Sequence, residues 1–163
     1  MDFLDDQQMY HLYEKFILEY YKKEYPYITT NASKIKWQLD DGMDYMLPNL
    51  LSDITLEYDN KVLIIDAKYY SHIMQNRYEK ETIRSANMFQ IFTYVKNKEA
   101  ELKDKPHEVA GMLLYAQTDN GTQPEYRYQM SGNMISVKTL NLNCDFEDIR
   151  RQLDSIITDY FKL

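Results

Sequence analysis

Apolar side chains recur at helical spacing through Met9, Leu12, Tyr13, Phe16, Ile17 and Tyr20. This predicts a helix over 5–24 that stops before Pro26. The period then changes to two. Ile35 and Trp37 alternate with Lys34 and Lys36, which predicts a short strand over 31–38. Gly42 centres a loop over 40–44. Residues 50–70 predict a β-hairpin, with arms 50–58 and 61–70. Asp59 and Asn60 form its turn, since both residue types tolerate the positive φ that a two-residue hairpin demands. Val62-Leu63-Ile64-Ile65 is apolar without alternation, the pattern of a strand buried on both faces.

A long helix over 77–103, irregular in its first turn, is expected from Ile83, Met88, Ile91, Phe92 and Val95. Pro106 lies just past its end. A strand over 109–117 and a loop over 118–124 follow. Segments 125–130 and 134–140 predict an antiparallel pair across Ser131-Gly132-Asn133. A helix over 145–161 closes the chain, with Asp145 as its N-cap. This order predicts an α/β sandwich, a mixed central sheet flanked by helices. No repeat or linker interrupts residues 1–163, so the expectation is a single domain.

Composition narrows the possibilities. The net charge of −7 counts against a free-standing nucleic-acid binder, because duplex affinity comes largely from Lys and Arg on phosphates. It leaves room for an enzyme whose site needs carboxylates and whose partner supplies affinity. The single cysteine, Cys144, excludes an internal disulfide and a cysteine-only metal site, and fits a reducing compartment. No apolar run is long enough for a membrane span. The first residues are acidic and lead into no apolar stretch, which argues against a secretory signal and for the cytoplasm. Four glycines are too sparse for a nucleotide-cradling loop, so the chain itself should bind neither GTP nor ATP. Many of the sixteen tyrosines should sit half-buried at element edges.

The hairpin carries the chemistry. If Asp59 and Asn60 are the turn, Tyr58 pairs with Lys61. Counting back along both arms brings Asp53 opposite Asp66 on one face of the sheet. Lys68, two residues beyond, projects from the same face. Facing carboxylates repel each other, and burial makes this worse. A positive ion between them is expected. Hard oxygen ligands suit Mg²⁺, with Mn²⁺ as a substitute, better than zinc. Such an ion polarises a phosphodiester and lowers the pKa of water. Lys68 would orient the attacking water or stabilise developing charge. The plainer alternative is a strand-end salt bridge of Asp53 and Asp66 with Lys68.

Leu51-Ser52-Asp53-Ile54-Thr55-Leu56-Glu57, followed by Val62-Leu63-Ile64-Ile65-Asp66-Ala67-Lys68-Tyr69-Tyr70, resembles the PD-(D/E)xK nuclease signature. It is more closely similar to the catalytic domain of the McrC family, the nuclease subunits of modification-dependent McrBC restriction systems. Tyr13-Glu14-Lys15-Phe16 is similar to the family's acidic helix motif. Gln90 and Tyr94 are similar to a Gln-x-x-x-Tyr motif of RecB-like relatives. The resemblance covers about residues 8–100. Ser52 stands where the proline of the family name would be. McrC-like proteins also carry an N-terminal region, not seen here, that meets an AAA+ GTPase of the McrB type.

The resemblance implies a restriction endonuclease-like fold and a Mg²⁺-dependent endodeoxyribonuclease that cleaves DNA through water. It implies that Asp53 and Asp66 bind the metal, with the Ala67 carbonyl as a further ligand and Lys68 as the catalytic lysine. Glu14 would reach the metal directly or through water, or lie solvated on its helix. Gln90 and Tyr94, one turn apart on one face, would contact the site water or the DNA backbone; Tyr94 reads equally as core. A McrB-type partner would bind through regions outside this chain, and a dimer is one route to double-strand cleavage. The alternative is a catalytically silent module that docks a partner or nucleic acid. RNA and branched DNA stay open as substrates. His11, His72 and His107 share no ligand spacing, although His72 lies just past the hairpin. Lys22-Lys23 and Arg150-Arg151 are too short to be phosphate patches.

Overall fold

The computed structural model describes residues 3–70, 73–77, 80–117 and 123–163. Its elements in chain order are α1 (Phe3–Glu24), β1 (Thr29–Asn31), β2 (Lys34–Ile35), β3 (Leu50–Leu51), β4 (Ile54–Tyr58) and β5 (Lys61–Lys68). There follow β6 (Gln75–Arg77), β7 (Lys80–Thr82), α2 (Ser85–Glu101), β8 (Glu108–Ala116), β9 (Tyr126–Met130), β10 (Asn133–Leu140) and α3 (Phe146–Phe161). Six strands form one sheet in the order β1-β4-β5-β8-β10-β9. The centre, β5-β8-β10, is parallel and the outer pairings are antiparallel. The result is the expected α/β sandwich with a mixed sheet.

Two apolar layers hold it. On one face, Ile17 and Tyr21 of α1 and Leu153 and Ile157 of α3 pack on Leu63, Ile65 and Leu114. On the other, Ile91, Tyr94 and Val95 of α2 pack on Val62, Ile64, Leu113 and Tyr115. Burial on both sides explains why β5 shows no alternation. At Gly111 an added Cβ would lie 2.7 Å from side-chain carbons of both Ile91 and Val95. The missing side chain lets α2 settle close to β8, and this carries Gln90 to the end of β5. No helix among the described residues is long and apolar enough to cross a membrane.

The hairpin register is as expected, from Tyr58↔Lys61 to Ile54↔Ile65. Asp59 and Asn60 take φ of 48° and 67° in the turn. Asp145 caps α3 by accepting from the Asp148 N–H at 3.0 Å. Four expectations are corrected. The first arm is not continuous: Leu50–Leu51 pairs with Lys34–Ile35 in a separate ribbon, and the chain bends at Ser52 and Asp53 before β4 begins. The strand expected over 31–38 divides for the same reason, β1 joining the main sheet and β2 the ribbon. The helix expected from 77 starts only at Ser85, because 75–77 and 80–82 pair as a small hairpin. The Gln75 side chain fixes it, donating to Thr82 Oγ1 at 3.0 Å and Ser85 Oγ at 3.2 Å. The second arm ends at Lys68 rather than Tyr70. Of the loop expected over 118–124, residues 118–122 lie outside the described residues, as does His72.

Candidate active site

The carboxyl end of β5 is where polar side chains enter the core. Strand alternation turns Ala67 into the α1–α3 layer and sends Asp66 and Lys68 to the α2 side. Asp66 is 2% exposed and Lys68 8%. Lys68 Nζ lies 3.2 Å from Asp66 Oδ1 and donates to Gln90 Oε1 at 3.0 Å. Gln90 Nε2 donates to the Tyr94 hydroxyl at 2.8 Å, which donates to the Leu51 carbonyl at 3.1 Å. Gln90 and Tyr94 therefore form one relay that holds the lysine head, and Tyr94 is both core and relay.

Asp53 reaches the same point by another route. It stands in the bend, one step beyond the last ladder pair, so it does not face Asp66 across a regular ladder. Its Oδ2 accepts from the Ala67 N–H at 2.9 Å, taking a donor that a longer β4 would have used. The bend is locked by Ser52. Its N–H donates to the Ser33 carbonyl at 2.9 Å, and its hydroxyl lies 2.7 Å from Thr55 Oγ1. A proline at this position has no N–H to give, so serine has its own use here. The Asp53 carboxyl lies near enough to those of Asp66 and Glu14 for the three acids to perturb one another. Glu14 is half-buried on α1, with His11 Nδ1 3.2 Å from its Oε1.

Three acids and one lysine thus converge from α1, the bend and β5. Burial, above all, pushes Asp66 up to about 7 against the pull of Lys68. Burial likewise raises Asp53 to about 6, with Glu14 adding repulsion. Among the described residues, the buried oxygen Asp66 Oδ2 has no hydrogen-bond partner. Such an atom is costly unless something occupies it. Among the described residues no three or more His, Cys, Asp or Glu side chains form a ready-made metal cage. What is present fits a hard cation of the Mg²⁺ type, which binds through one or two carboxylates and keeps several waters. Asp53 and Asp66, with the Ala67 carbonyl next to Asp66 in sequence, are the groups that could hold it.

One residue beside the carboxylates was missed in the sequence. The Tyr10 ring lies 6.0 Å from Lys68 Nζ, and its phenol is raised first by burial and then by Asp53, Asp66 and Glu14. Its only signal is that it precedes Glu14 by one helical turn. Beside the site, Tyr70, Asn87 and Tyr115 are hydrogen-bonded in series, at 3.2 Å and 2.8 Å. His107 lies apart, near the Asp59-Asn60 turn at the other end of the sheet.

A mixed sheet between helices, with a carboxylate pair and a lysine at the end of a central strand, is consistent with the restriction-endonuclease-like class. No protein-family profile matches the chain. It is 31% identical over 161 residues to the type IV methyl-directed restriction enzyme EcoKMcrBC of Escherichia coli (strain K12). The match takes in 97% of this chain and 45% of that protein, so the chain spans less than half the length of its relative. Over nearly its whole length the chain is thus similar to a part of a methyl-directed restriction enzyme.

Proposed function

We propose that this chain is the catalytic region of a McrBC-type restriction system and hydrolyses phosphodiester bonds in DNA with a divalent metal. The observation that carries this is the buried Asp53–Asp66 pair beside Lys68, with Asp66 Oδ2 unpartnered. The similarity to a methyl-directed restriction enzyme supports DNA as the substrate. Asp53, Asp66 and the Ala67 carbonyl would hold Mg²⁺, or Mn²⁺ in its place. The ion would supply Lewis-acid polarisation of the phosphodiester and ease deprotonation of the attacking water. Lys68 Nζ would donate to charge developing on the phosphoryl oxygens. Gln90 Oε1, fixed in turn by Tyr94, accepts a hydrogen bond from Lys68 Nζ and so aims the ammonium. Glu14 would order water on the α1 side of Asp53. A McrB-type GTPase bound through other regions would bring the catalytic region to DNA, compensating for the net charge of −7. Paired copies would give double-strand cleavage.

A second reading, a silent docking module, draws on the Lys68–Asp66 ion pair already closed at 3.2 Å. Cleavage separates the two. With Mg²⁺ and the partner GTPase present, Asp66→Ala should lose roughly 10³-fold or more in cleavage rate, the scale on which metal and acid–base catalysis act. Cleavage retained by that variant, in a folded protein, would remove Asp66 from the mechanism.

A further inference from the structure

The ribbon formed by β2 and β3 lies beside the site, and the reaction as proposed does not use it. With a period of two, it has one buried and one exposed face. Ile35 pairs with Leu50, and both are buried against α2. Lys34 pairs with Leu51 and both are exposed, as is Lys36, which follows β2 directly and lies outside the paired ribbon. Two alternate residues of a strand stand roughly 7 Å apart, close enough for long side chains to reach neighbouring phosphates of one nucleic-acid strand. Among the described residues neither Lys34 nor Lys36 has an ion-pair partner. By contrast, Lys61, Lys96, Lys98 and Lys138 are each tied to a carboxylate. Lys103 and Lys105, after α2, are also exposed without an ion pair, so what sets Lys34 and Lys36 apart is their place beside the carboxylate site.

The ribbon is also fixed to the site. Leu51 lies two residues before Asp53, and its carbonyl anchors the Tyr94–Gln90–Lys68 relay. Ser33 and Ser52 add two hydrogen bonds, at 2.9 Å and 3.2 Å. The two lysines border a hollow of about 260 Å³ floored by Trp37, Leu39 and Leu47. Asp44 also lines this hollow, while Asp41 is turned back onto the Met43 N–H at 2.9 Å. Cations over an apolar floor match the alternation of phosphate and sugar along a strand.

We infer that the exposed face of the β2–β3 ribbon grips the phosphodiester backbone of duplex DNA next to the carboxylate site. This rests on the nuclease reading above and adds to it a second, non-catalytic contact. Phosphate contacts set position and make affinity salt-dependent. The test is binding of the full chain to a short fluorescein-labelled duplex, followed by anisotropy across a salt series. Lys34→Gln with Lys36→Gln is compared with the parent and with Lys22→Gln, Lys23→Gln at the far end of α1. The ribbon variant should lower the slope of log Kd against log salt by about 1.8, at roughly 0.9 for each phosphate that is no longer neutralised. Its melting temperature and the slope of the α1 variant should not change. An unchanged slope in the ribbon variant, with a parent that binds and cleaves, overturns the grip alone and leaves this face to a protein partner. An equal fall in both variants overturns it too, since the effect would then be general charge. A parent that neither binds nor cleaves DNA, even with Mg²⁺ and the partner GTPase present, removes the nuclease reading, and the grip with it.

Discussion

The two ends of β5 carry the same chemical parts in different surroundings. At its start, Lys61 lies 3.9 Å from Glu108 Oε2, donates to the Tyr160 carbonyl at 3.2 Å and sits 5.5 Å from the Tyr160 ring. At its end, Lys68 lies 3.2 Å from Asp66, donates to Gln90 at 3.0 Å and sits 6.0 Å from the Tyr10 ring. A lysine, an acid, a neutral acceptor and a tyrosine occur in both. The difference is burial and balance. The Glu108 side chain is 58% exposed, so water satisfies it, and such a pair contributes little. The Asp66 side chain is 2% exposed, has the Asp53 carboxyl as a second negative neighbour and, among the described residues, keeps one oxygen unpartnered. An ion pair marks a functional site only where the charges do not balance and water cannot make up the deficit.

The strongest consequence concerns pH. A carboxyl raised from 3.8 to about 7 holds its proton in the folded state after the unfolded chain has lost it. Between those values the native state binds more protons, so the stability from this group is complete at low pH and is lost as pH rises toward 7. Asp53, raised to about 6, acts in the same direction. With chelator present, the pair should lower unfolding free energy by on the order of 2–4 kcal/mol between pH 4 and pH 8. Urea melts of the parent and Asp66→Asn would measure it, as the difference in their pH slopes. Saturating Mg²⁺, which binds the ionised form, should offset the loss above pH 7. Identical slopes in the two proteins would mean that Asp66 titrates normally.

The other end of the strand supplies the smallest effect. Glu108→Gln should change unfolding free energy by less than about 0.5 kcal/mol at any pH, as expected of an exposed pair. It should leave the urea-melt pH slope as it is in the parent. A shift as large as that at Asp66 would erase the contrast between the two ends.

Much of this contrast is legible in the sequence. The Asp59-Asn60 turn sets the register, and the unbroken apolar run Val62–Ile65 places β5 at the centre. Lys68 and Gln90, far apart in the chain, each stand out by motif, and they meet at 3.0 Å. What escapes such a reading depends on side chains acting across the chain. Asp53 reaches its partner from a bend held by Ser33, Ser52 and Thr55, and nothing in its spacing distinguishes that bend from a continuing strand. The β6–β7 hairpin has no alternation and rests on Gln75. Tyr10 joins the site only because α1 docks with that face toward β5.

The central claim is that the carboxylates at the end of β5 are held for a metal. Calorimetric titration of Mg²⁺ and Mn²⁺ into the full chain and its Asp53→Ala, Asp66→Ala variant tests it most directly. The expected result is saturable binding to the parent, tighter at pH 8 than at pH 6, and none to the variant at this site. Equal binding to both proteins, or none to the parent even with duplex DNA and the partner GTPase present, would contradict it.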